Sequence, residues 1–196
     1  MSNRIELEKG YYLDDKYKEI LNKLKEEKFE FSNELVEEDT YFTDINLNFI
    51  ENKTCLRIRK TNNTNVELTY KPKTTKHTEN YGKKETNVNI SRGDYEDIKY
   101  ILKELGYVEY VSFKKHREIY SKSKNDFEYN IMIDHIENIG DFIEIEILAQ
   151  NYDDKEKVQI ELENLIKKIE CQNLKPKEKP YRDLVKESKN KRKNDR

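Results

Sequence analysis

Apolar residues recur along this chain either at every second position or at the helical spacing of three and four, in alternating blocks. Ile5-Glu6-Leu7-Glu8, Leu56-Arg57-Ile58-Arg59 and Phe142-Ile143-Glu144-Ile145-Glu146 follow the two-residue period of strands with one apolar and one polar face. Tyr17, Ile20, Leu21 and Leu24 follow the i, i+3, i+4, i+7 rule and predict a helix capped by Asp14-Asp15 and running to about Lys28. Strands are then expected over 34–44, 55–61 and 65–71, with Asn62-Asn63-Thr64 turning the last two into a hairpin. Residues 73–82 are polar and aperiodic, which reads as a loop, and a strand follows over 83–90. Tyr95, Ile98, Ile101, Leu102 and Leu105 mark a second helix ended by Gly106. Strands 108–120, 127–135 and 142–149 come next, then a helix from about Asp153 to Glu170 and a short last turn at Tyr181, Leu184 and Val185.

The polar faces of these strands are charged, and the charges are sorted by strand. Glu6 with Glu8 and Glu144 with Glu146 put carboxylates on one face; Arg57 with Arg59 and Lys115 with Arg117 do the same with cations. Helices can cover the apolar faces, and the charged faces must then look elsewhere. An α+β fold satisfies both demands: an antiparallel, eight-stranded, closed or nearly closed β-barrel, a tunnel with a wet charged interior and helices packed outside. Any single pair of acids could equally be a solvated strand face. Complementary clusters on separate strands favour a site, since carboxylates hold hard divalent cations and Arg or Lys groups hold phosphate oxygens.

With 196 residues the chain fits one domain, expected over 1–185, followed by a polar, disordered tail over 186–196. Charged residues make up 40% of it, yet the net charge is only −2 and 14 Tyr and 7 Phe are present, which together favour a folded protein. The balanced charge argues against a dedicated nucleic-acid binder. No run approaches a membrane span or a signal-peptide core, so a cytoplasmic protein is expected, and a homodimer stays open. Cys55 and Cys171 have no C-x-x-C partner and read as reduced packing residues.

The order of these motifs resembles the CYTH superfamily, the triphosphate tunnel metalloenzymes, which include class IV adenylyl cyclases and thiamine and inorganic triphosphatases. Glu6-x-Glu8 is similar to the family's Glu-x-Glu-x-Lys signature, and Asp39-Thr40-Tyr41-Phe42-Thr43-Asp44 to its D-x-Y-F-D-T segment. Leu56-Arg57-Ile58-Arg59, Glu67-Leu68-Thr69-Tyr70-Lys71-Pro72, Lys115-His116-Arg117, Ile133-Asp134 and Gly140 through Glu146 continue the match in order. Leu105-Gly106-Tyr107 and Pro180-Tyr181-Arg182-Asp183-Leu184 resemble the cyclase-like branch.

The resemblance implies Mg2+ or Mn2+ held by Glu6, Glu8, Asp134, Glu144 and Glu146, and a triphosphate such as ATP gripped by Arg57, Arg59, Lys71, Lys84, Lys115 and Arg117. Glu6, Glu8, Lys71 and Lys115 are the expected catalytic groups. The first expectation is an adenylyl cyclase making cyclic AMP and pyrophosphate. The alternatives are a triphosphatase acting on inorganic, nucleoside or thiamine triphosphate, and a module that only binds triphosphates. Two positions depart from the pattern. Gly10 stands where the signature has Lys, so that Lys9 could serve only if Gly10 forms a bulge, and Asn87 stands where a second carboxylate is expected.

Overall fold

The computed structural model describes residues 5–73, 85–149 and 155–194. Its strands are β1 (Ile5–Tyr12), β2 (Glu30–Asp44), β3 (Cys55–Thr61), β4 (Asn65–Lys71), β5 (Thr86–Ile90), β6 (Tyr107–Lys124), β7 (Phe127–Ile136) and β8 (Gly140–Ala149). Its helices are α1 (Tyr17–Glu26), α2 (Asn48–Glu51), α3 (Tyr95–Glu104), α4 (Lys155–Lys168) and α5 (Tyr181–Asn194). The strands form one eight-stranded antiparallel sheet in the order β1-β8-β7-β6-β2-β3-β4-β5. The chain divides into two compact units, one of Met1–Glu34 and His116–Glu178, the other of Leu35–Lys115 and Lys179–Arg196.

In the first unit, the apolar positions of β1, β7 and β8 share one face. Leu7, Tyr11, Ile131, Ile133, Ile143, Ile145 and Ile147 pack there against Ile20 and Leu24 of α1 and Val158, Leu162, Leu165 and Ile166 of α4. A buried aliphatic side chain contributes about 1.5–3 kcal/mol, so this layer fixes the strand register and commits the alternate residues to the other face. Helix α1 begins at Tyr17 without a side-chain cap, so Asp14 and Asp15 do not play the expected capping role; Lys28 ends it in the left-handed conformation, with Phe29 N–H donating to Leu24 O at 2.9 Å.

Strand β1 pairs regularly with β8 from Ile5↔Ala149 to Tyr12↔Phe142. The bulge considered at Gly10 is therefore absent, and Lys9 is exposed on the face that carries Leu7 and Tyr11. The other edge of β1 is covered by the segment after α4: Tyr12 N–H donates to Lys175 O at 2.9 Å, Lys177 N–H donates to Gly10 O at 2.8 Å, and Tyr11 bridges Pro176. A proline within such a strap limits further strand addition.

The second unit repeats the logic with a smaller core, Phe42, Leu56, Ile58 and Val66 against Tyr95 and Leu102 of α3. The β3–β4 hairpin turns through Asn62 and Asn63, both in the left-handed region that asparagine tolerates. Gly106 ends α3 at φ +88°, as its position implied. The chain does not fray at 186: α5 runs to Asn194. Lys186 Nζ donates to Tyr110 O and Lys189 Nζ to Ser112 O, each at 2.8 Å, so long cationic side chains dock a helix whose composition alone is too polar. Among the described residues no helix is long and apolar enough to cross a membrane.

Candidate functional site

On the face of the first unit opposite its core, β1 and β8 present carboxylates to each other. Glu8 lies directly across from Glu146 and Gly10 across from Glu144. Carboxylate oxygens of Glu6, Glu8 and Glu146 all lie within 4.8 Å of one another. Burial raises the Glu146 pKa above the ordinary value of 4.5, and the nearby charges of Glu8 and Glu144 add to that, against the opposing pull of Asn130 and Arg117. Asn130 Nδ2 donates to Glu146 Oε1 at 2.9 Å, and Ser121 Oγ in turn donates to Asn130 Oδ1 at 2.8 Å, which fixes the carboxylate's orientation. Like charges set opposite each other destabilise a sheet. Three oxygen donors crowded in this way fit a hard divalent cation such as Mg2+ or Mn2+.

The other two expected metal ligands are held differently. Asp134 is fully buried and receives Arg117 Nε and Nη2 on its two oxygens, both at 2.6 Å. Arg117 Nη2 also donates to Glu144 Oε2 at 2.5 Å, and Lys177 Nζ lies 3.1 Å from Glu144 Oε1. The structure thus brings Glu6, Glu8 and Glu146 together and sets Asp134 and Glu144 around a guanidinium.

In the second unit the cations of β3, β4 and β6 share a face with carboxylates the sequence reading had not placed there. Arg59 donates through Nε and Nη2 to the two oxygens of Asp39 at 2.6 and 2.8 Å, and through Nη1 to Glu37 at 2.7 Å. Lys115, only 2% exposed, has its Nζ 3.0 Å from Glu37 Oε2. Lys71 Nζ lies 2.5 Å from Glu85 Oε2. Burial would raise the Asp39 pKa, but the Arg59 charge and hydrogen bonds, helped by Arg57 and Lys115, outweigh it and hold the carboxyl below its usual range. Glu85 is likewise lowered, with Lys71 and Arg57 overcoming its burial.

Arg57 is the exception among these cations. Its Nη2 donates to Thr69 Oγ1 at 3.1 Å, while its buried Nε has no hydrogen-bond partner among the described residues and stands 4.0 Å from Asp39 Oδ1. Glu67 and Glu85 are also 4.0 Å from Arg57 Nη2. A buried donor without a partner costs about 1–3 kcal/mol, so an acceptor reaching Arg57 Nε would relieve that cost. Lys84 lies outside the described residues, as does most of the loop expected over 73–82.

The acids Glu37 and Glu67 went unassigned although they stand at alternating positions with Asp39 and Thr69, a period visible in the sequence. Lys177 gave no such signal; its partner Gly10 is 167 positions away and only the missing side chain there pointed toward it.

Carboxylates gathered on a strand face of the first unit and cations gathered on a strand face of the second are groups that can hold a divalent metal and phosphate oxygens. The CYTH domain pattern matches residues 5–178, and the chain belongs to the CYTH family. A protein of Methanocaldococcus jannaschii, provisionally named an adenylate cyclase, is 34% identical over 166 residues, which is 84% of this chain and 89% of that protein. The solved structure of a Pyrococcus horikoshii protein superposes with a TM-score of 0.72 at 30% identity, covering 93% of this chain and 98% of that one. A Hippeastrum adenylyl cyclase candidate, described as having a dominant triphosphatase activity, shares the fold at a TM-score of 0.61 and 15% identity, over 85% and 87% of the two chains.

Proposed function

We propose that this CYTH protein is a divalent-metal-dependent enzyme acting on triphosphates, of the class IV adenylyl cyclase type, converting ATP to cyclic AMP and pyrophosphate. The observation that carries the reading is the Glu6, Glu8 and Glu146 trio, whose carboxylate oxygens lie close enough together to share one cation. Family membership supports the substrate class, and the name of the M. jannaschii relative supports the cyclase.

In this reading Glu6, Glu8 and Glu146 hold Mg2+ or Mn2+, which when bound supplies charge neutralisation to the phosphate oxygens. Arg57 donates to phosphate through its buried guanidinium, and Lys71 and Lys115 place positive charge where negative charge grows on the departing phosphates. Arg59 and Arg117, whose forks are closed on carboxylates, order the groups around them. In the cyclase the ribose 3′-hydroxyl releases its proton to solvent as its oxygen attacks the α-phosphorus, the bond from that phosphorus to the β-phosphate oxygen breaks, and pyrophosphate leaves with the electron pair.

Hydrolysis of the terminal phosphate is the second reading, favoured by the fact that every group named here addresses phosphate or metal and so serves any triphosphate. Incubation with Mg2+ or Mn2+ and ATP, inorganic triphosphate or thiamine triphosphate, with products separated by chromatography, tests both. Cyclic AMP with pyrophosphate supports the cyclase, and orthophosphate replaces it with the hydrolase. Binding without any product would reduce the protein to a binding module.

A further inference from the structure

Gly10 follows Glu6 and Glu8 on the carboxylate face of β1, opposite Glu144, so a side chain at position 10 would point onto that face. No side chain grows from it. A Cβ placed there would lie 2.5 Å from Lys177 Cε and 3.3 Å from its Nζ, because the Lys177 stem already fills the space. Lys177 comes from the strap along the edge of β1, where its backbone N–H donates to Gly10 O at 2.8 Å. Its side chain is only 11% exposed, and its ammonium sits 3.1 Å from Glu144 Oε1, on the carboxylate that Arg117 holds through Oε2.

We propose that Lys177 is a triphosphate-binding residue of this site, entering across Gly10 and delivering its ammonium to the place that a side chain at position 10 would otherwise serve. The inference rests on the triphosphate reading given above. Three observations support it together. Gly10 leaves the space that the Lys177 stem occupies, the backbone bond fixes where the stem starts, and Glu144 fixes where the charge ends. A lysine kept only for packing has no need to bring its charge onto a face built of carboxylates. An ammonium placed there neutralises the face, and its donors can turn toward phosphate oxygens when a metal-bound triphosphate arrives.

The test is calorimetric titration of inorganic tripolyphosphate into Mn2+-loaded full-length protein. Lys177→Met keeps the apolar stem and removes the charge, and it is expected to weaken binding about tenfold with the melting temperature nearly unchanged. Gly10→Ala, which pushes the Lys177 stem aside, is expected to weaken it in the same direction. Lys177→Ala combined with Gly10→Lys should bind to within about threefold of the parent, a rescue that a purely structural lysine would not allow. Parent-like affinity in Lys177→Met, or a double variant no tighter than Lys177→Ala alone, overturns the inference while leaving the triphosphate reading intact. A parent protein that binds no tripolyphosphate overturns both.

Discussion

Arg117 closes a two-pronged bond on Asp134, Nε to Oδ1 and Nη2 to Oδ2 at 2.6 Å each, between residues that face each other directly across β6 and β7. The carboxylate is fully buried. The same guanidinium also reaches Glu144, so one side chain compensates two acids on the face that holds the Glu6, Glu8 and Glu146 trio.

Removing Arg117 leaves a buried carboxylate without its main compensation, and loss of one partner of such a pair costs about 3–5 kcal/mol. Arg117→Ala is therefore expected to lower the free energy of unfolding by about that amount in urea titration. Arg117→Lys should recover only part of it, because an ammonium cannot form the planar fork. A cost below about 1 kcal/mol would show that Asp134 is satisfied by other means.

Asp39 and Arg59 predict a pH dependence of stability. The folded Asp39 carboxyl lies below the ordinary value of 3.8, so its stabilising contribution is complete above the unfolded pKa and is lost as pH falls through the folded one. Unfolding midpoints measured from about pH 6 down to pH 2 should fall more steeply in the parent than in Asp39→Asn below about pH 4. At neutral pH the variant should be the less stable protein, since Arg59 then keeps a buried charge with its fork half empty. Parallel curves for the two proteins would mean that this pair does not set the acid limb.

Arg57 offers a buried donor without a partner among the described residues, and a charge-assisted bond to phosphate is worth about 1.5–3 kcal/mol. Arg57→Ala is expected to weaken tripolyphosphate binding about ten- to a hundredfold and to change orthophosphate binding far less. Calorimetry with both ligands checks this. Equal losses for the two would point to a general loss of fold instead.

How much of this was legible in the sequence depended on the range of the contacts involved. The β3–β4 hairpin matches its expected limits because alternation and the Asn62-Asn63 turn are local signals, and α3 stops at Gly106 for an equally local reason. The acidic and basic strand faces were also readable, because a two-residue period assigns faces without any knowledge of neighbours. Which acids meet which cations was not, since Arg59 on Asp39 and Glu37, or Arg117 on Asp134, depends on the register between paired strands, which alternation alone does not set. Gly10 was open to a bulge on local grounds; the strap through Lys177 that explains it lies near the other end of the chain. Helix α5 extends beyond Lys186 because its lysines find strand carbonyls, a tertiary contact that composition cannot announce.

Titration of Mn2+, followed by the electron paramagnetic resonance of the free ion, measures whether the β1–β8 carboxylates hold a cation. The parent is expected to sequester Mn2+, more tightly when tripolyphosphate is present. Glu8→Gln and Glu146→Gln, which keep shape and remove charge, should each weaken that binding at least tenfold while circular dichroism stays unchanged. Mn2+ binding that is absent in the parent, or undiminished in both variants, would contradict the assignment of Glu6, Glu8 and Glu146 as the metal site.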